Sequence, residues 1–136
     1  MPKIKLAPKH MVATFLTPAA YFVLAYLAPV IAQQGITRTP LGTVDFPPGY
    51  QTVTQISQIA PGLCAERHSH PGIETGYVME GDLILKVEGR PDQFFKTGDQ
   101  VPVPLGVPHL PCTTRGTKIF TVHIVEKGKP FASPAP

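Results

Sequence analysis

The segment His68-Ser69-His70, followed by Glu74, places three side chains of metal-ligating type within seven residues, between Gly62 and Gly81. On a strand, residues two apart point to one side, so His68 and His70 share a face with their backbones about 6.6 Å apart, and imidazoles of that reach converge on one ion. The Pro71-Gly72 turn is expected to reverse the chain and bring Glu74 onto the neighbouring strand, facing the same ion. A second cluster, Gly98, Pro104, Gly106 and His109, offers a fourth ligand in His109, from a strand expected further round a barrel. Three neutral nitrogens and one carboxylate suit one divalent transition metal ion, whether iron, manganese, copper, nickel or zinc. Octahedral coordination leaves two positions open.

Ahead of this pattern the chain has a different character. Lys3, Lys5 and Lys9 precede an apolar stretch from Met11 to Ala32, and Val30-Ile31-Ala32 offers small residues at its end. Residues 1–32 therefore read as a signal peptide, cleaved so that the mature protein starts near Gln33 in the periplasm or outside the cell. A retained membrane anchor is the rival reading, but Thr17, Pro18 and Pro29 interrupt the run. Of the 12 lysines and arginines, three lie in this segment, so the remaining nine face nine acidic residues. The basic balance belongs to the leader and gives no reason to expect a nucleic-acid partner, and contact with a membrane is expected only through that leader.

All 12 glycines and 13 of the 17 prolines follow residue 32, at intervals that leave room only for short strands. That spacing predicts an all-β barrel or sandwich of one domain. Residues 33–50 read as an arm or edge strand, residues 51–126 as the barrel and residues 127–136, rich in Pro, Ala, Ser and Lys, as a flexible tail. Strands are expected at 51–60, 63–70, 74–80, 82–88, 93–96, 100–104, 109–114 and 118–125. The alternation of Leu83, Leu85 and Val87 with Asp82, Ile84, Lys86 and Glu88 is the clearest period-two signal.

Strand parity also bears on single residues. Counted along an unbroken strand, Cys64 shares the face of His68 while Cys112 falls opposite His109, which argues against a Cys64–Cys112 bridge; Pro111 is the one feature able to upset that count. Cys64 then reads as a small core residue. By the same count Glu66 points inward below His68, a weak candidate for a catalytic carboxylate that orients a ligand or takes a proton; its other reading is a solvated group at the barrel mouth, paired with Arg67 or Lys86. Nothing in the sequence pairs His123 with the motif, so it reads as an exposed or core histidine. Tyr77, Phe94 and Phe95 read as residues that pack the barrel or a dimer contact.

The pattern resembles that of the cupin superfamily, conserved-barrel type. Gly62, His68, His70, Glu74 and Gly81 match its first motif, and Gly98, Pro104, Gly106 and His109 match its second, with Thr113 where the family usually has Asn. The resemblance spans residues 62–113. It implies a single double-stranded β-helix, or jelly-roll, barrel, with the ion held by His68, His70, Glu74 and His109. It also implies a choice of functions: a metal-dependent enzyme on a small oxygenated molecule, with dioxygenase chemistry favoured; a metal-dependent isomerase or decarboxylase; or a non-catalytic module that binds a small molecule or metal. Members often form homodimers with the amino-terminal arm crossing over, a role that suits residues 35–50.

Overall fold

A computed structural model describes residues 33–136, and the expected signal segment lies outside them. Nine strands make up the described chain: β1 (Ile36–Val44), β2 (Tyr50–Ile59), β3 (His68–Ser69), β4 (Gly72–Val87), β5 (Gln93–Lys96), β6 (Gln100–Val103), β7 (His109–Cys112), β8 (Thr117–Glu126) and β9 (Ser133–Pro134). No helix occurs among the described residues. The all-β expectation holds, and the curled sheet is that of a cupin-like half-barrel.

β4 organises the architecture. Its first half lies between β8 and β6, and its second half lies between β7 and β5. Every pairing is antiparallel. One sheet thus runs β1-β2-β8-β4-β6, the other β9-β3-β7-β4-β5, and β4 belongs to both. Two separate strands were expected here, at 74–80 and 82–88; instead one strand bends through a bulge between Val78 and Glu80. Gly81 makes the bend possible, with a φ of 82° and a backbone so close to its neighbour that an added Cβ would lie 1.8 Å from the Gly116 carbonyl oxygen.

The period-two pattern of 82–88 is realised as expected. Leu83, Leu85 and Val87 are buried and pack with Val78, Val101, Val103 and Ile119, flanked by Phe95 and Val107. Along β8 burial alternates without a break, which turns Ile119, Thr121, His123 and Val125 inward. Phe94 and Tyr77 instead face solvent. The arm expected at 33–50 becomes β1, an edge strand in a hairpin with β2.

Three readings are corrected. The strand expected at 63–70 exists only at His68–Ser69, with a single bridge from Cys64 to Cys112 before it. Because Cys64 pairs with Cys112 and His68 with His109, four residue steps on one side oppose three on the other. That extra residue flips the parity, and Cys64 and Cys112 form a disulfide. Finally, the tail folds: β9 pairs with β3, and the Ala135 N–H donates to the Arg67 carbonyl at 3.0 Å.

The bridge closes a sequence separation of 48 residues, for which the chain-entropy relation gives about 4 kcal/mol of stabilisation. The C64S/C112S double variant is expected to unfold at lower denaturant by roughly that free energy, as measured by chemical denaturation of the oxidised parent and the variant side by side.

Candidate metal centre

Three strands and one turn deliver the histidines and glutamate. His68 on β3 sits directly opposite His109 on β7, so His109 is an immediate neighbour and does not come from further round the barrel as expected. Glu74 is on the first half of β4, which pairs with β8 and β6 and not with β3. It reaches the other ligands across the barrel interior. The ligand atoms of His68, His70, Glu74 and His109 all lie within 4.8 Å of one another. The sequence-derived set therefore meets at one point.

Each of the three imidazoles is held from behind. The Nδ1–H of His68 donates to the Glu66 carbonyl at 2.7 Å, that of His70 to the Phe131 carbonyl at 2.7 Å, and that of His109 to the Val107 carbonyl at 3.1 Å. A neutral imidazole whose Nδ1 carries the proton presents a bare lone pair at Nε2. The Nε2 atoms of His70 and His109 each lie 3.2 Å from Glu74 Oε2, which is itself an acceptor. All three atoms are buried and lack a hydrogen-bond partner. Lone pairs facing a carboxylate oxygen at that range require a positive charge between them, a proton or a metal ion, and the donor set is one that binds a divalent transition metal. The residues fit the ion.

The electrostatics agree. Burial disfavours the Glu74 carboxylate, but the hydrogen bonds that His109 and His70 give it when Nε2 carries a proton outweigh that cost and hold the carboxyl below the usual range. Burial likewise opposes protonation of His109, yet the Glu74 carboxylate and the Val107 carbonyl raise its pKa above the ordinary imidazole value. For His68 burial wins over the Glu66 carbonyl, and the pKa falls to about 4. Of these two histidines, His109 holds its proton more firmly, and a metal ion would have to compete with it there.

His123 was missed. It is 1 % exposed, is the cross-strand partner of Glu74, and places Nε2 3.9 Å from Glu74 Oε1. Its ring lies 4.7 Å from that of His70. Burial lowers its pKa to about 4 in spite of Glu74. The alternation of β8 carried the signal for its inward direction, but the register that sets it beside Glu74 is a tertiary fact. Glu66, by contrast, is exposed and lines the cavity, in keeping with a solvated group at the barrel mouth. Its backbone carbonyl, not its carboxylate, serves the site by holding His68. Arg67 and Lys86, offered as its partners, pair instead with Glu88 and Asp92.

The carboxy-terminal strap is the second feature that sequence reading missed. Besides accepting the His70 hydrogen bond, Phe131 lays its ring against His70 at 5.1 Å and His123 at 4.7 Å. Together with Leu83, Leu85, Val101, Val103 and Ile119 it lines a cavity of about 340 Å³ beside the cluster. Thr113, which departs from the usual motif, donates its hydroxyl to Asp82 at 3.0 Å, and Asp82 also accepts the Thr114 and Arg115 N–H groups. This departure therefore tightens the turn after β7 and leaves the ligands alone.

Comparison with known proteins agrees with this geometry. A family model described as a cupin domain matches residues 55–126. No curated protein sequence matches the chain. Among solved structures, a cupin-like protein from Thermotoga maritima is 23% identical, with 74% of this chain and 75% of that one covered at a TM-score of 0.60. The DMSP lyase DddQ from Ruegeria pomeroyi is 20% identical, with 74% and 51% covered at 0.61. KdgF from Halomonas sp. is 17% identical, with 70% and 82% covered at 0.58. At these identities the likeness is one of fold.

Two outcomes are expected. Because a divalent ion competes with the His109 proton, whose pKa is raised, metal affinity is expected to begin falling already above the ordinary imidazole range as pH drops, as followed by calorimetric titration at stepped pH. Deleting residues 130–136 removes the carbonyl that orients His70 and weakens metal binding roughly 10- to 100-fold, while the barrel keeps its cooperative unfolding.

Proposed function

The chain belongs to the cupin family, and we propose that it is an exported mononuclear metal protein, its ion held by His68, His70, Glu74 and His109, acting on a small oxygenated molecule. The observation that carries this reading is the convergence of three backbone-tethered imidazoles and one carboxylate, with Nε2 of His70 and His109 and Oε2 of Glu74 buried and unpartnered. When bound, such an ion supplies a Lewis-acidic centre with positions open to substrate oxygens and, for a redox-active metal, to dioxygen. The chain does the rest. Carbonyls of Glu66, Val107 and Phe131 fix the ring orientations, and the apolar wall with Phe131 keeps water from the substrate side.

Dioxygenase chemistry is the activity first proposed. A second reading, a metal-dependent isomerase or decarboxylase, is favoured by His123: a buried, neutral imidazole that is not a ligand lies within reach of Glu74 and is suited to moving a proton at Nδ1, which has no partner. A non-catalytic binding module is the third.

Export rests on the basic and apolar character of residues 1–32 and is supported by the Cys64–Cys112 disulfide, a bond that persists in oxidising compartments. The expected homodimer belongs to the same proposal, and a size-exclusion mass of the mature protein tests it.

Protein recovered after export is expected to start near Gln33 by intact mass and to contain close to one transition metal per chain by elemental analysis, a content that His109→Ala abolishes. Oxygen uptake by this loaded protein on a panel of flavonol, catechol and diketone compounds supports the dioxygenase. Turnover that proceeds without oxygen and is lost in His123→Ala supports the isomerase or decarboxylase. Thermal stabilisation by a ligand with no product supports the binding module, and a metal-free exported protein overturns the whole reading.

A further inference from the structure

Beside the metal centre the cavity carries a polar strip that the four ligands do not explain. It begins on the edge strand. Ile36 is buried against the interior, and Arg38, two residues on, shares its face and lines the cavity. Arg38 is the cross-strand partner of Ser57, which is buried. The next inward residue on β2 is Gln55, whose Nε2 lies 3.5 Å from Ser57 Oγ and 3.4 Å from His123 Nε2. His123 in turn lies 3.9 Å from Glu74. Polar groups therefore run from the edge of the barrel to the cluster, through a space otherwise walled by aliphatic side chains.

An apolar ligand has no use for such a strip, and burying these groups against one would leave them without partners. Charge narrows the choice. Two arginines line the cavity. Arg67 is paired with Glu88 at 3.1 Å, whereas Arg38 has no carboxylate within ion-pair distance among the described residues. Arg38 is exposed at the rim of the cavity, and a guanidinium there without an acidic partner is suited to receive a planar oxyanion. In the register of β2, Val53 is level with His123 and Ser57 with Arg38, so four residues, about 13 Å of strand, separate the two ends. The reach of the arginine side chain shortens that distance.

We propose that the ligand is a small carboxylic acid with a second oxygen function several bonds away. The oxygen function meets the cluster, the carboxylate meets Arg38, and Gln55 and Ser57 hydrogen-bond the span between. This rests on the metal-centre reading and adds the class of ligand to it.

The test uses metal-loaded mature protein, with content checked by elemental analysis, and two probes that differ only at the far end: 2-oxoadipate and 2-oxohexanoate, which lacks the distal carboxylate. Calorimetry is expected to show 2-oxoadipate binding at least tenfold more tightly. Arg38→Gln is expected to erase that preference while leaving metal content and 2-oxohexanoate affinity unchanged, and Arg38→Lys to keep part of it. Gln55→Leu is expected to weaken both acids alike. Equal affinity for the two acids, binding of neither by fully loaded protein, or a preference that survives Arg38→Gln overturns the ligand class and leaves the metal centre standing. Protein that takes up no metal overturns both.

Discussion

Three backbone carbonyls, those of Glu66, Val107 and Phe131, decide what the interior of this barrel is for. By accepting the Nδ1–H of His68, His109 and His70 they commit each imidazole to one tautomer and aim its remaining lone pair inward. With Glu74 in the same place, the cluster of neutral imidazoles and carboxylate gathers acceptors, an arrangement that a cation relieves and a hydrocarbon core does not.

The fold supplies this constraint through one long strand. Because β4 serves both sheets, its first half carries Glu74 across from β3 and β7, while its second half, Ile84 to Val87, pairs with the strand that carries His109. A bend at Gly81 is what lets a single strand do both, and the close approach to Gly116 excludes any side chain there. The disulfide then pins the segment before His68 to the strand of His109, so the two ligand-bearing segments are joined covalently within a few residues of the site.

The carboxy-terminal strap closes the arrangement from the remaining side. β9 adds to β3, and Phe131 contributes a carbonyl to one ligand and an aromatic face to two histidines. Ten residues with the composition of a loose tail thus form a wall of the cavity. What makes them order is the exposed edge of β3, which offers hydrogen bonds that the short strand does not otherwise satisfy.

Local chemistry determined much of this in advance. The choice of the four candidate ligands, the all-β character and the burial of Leu83, Leu85 and Val87 follow from spacing and alternation, properties of residues close in the chain. Only the tertiary structure decided the rest, because parity counts hold along an unbroken strand and fail across a register shift. One extra residue between Cys64 and His68 made the disulfide. Cross-strand register, which no single segment encodes, put His123 beside Glu74, Arg38 beside Ser57 and the Phe131 carbonyl behind His70.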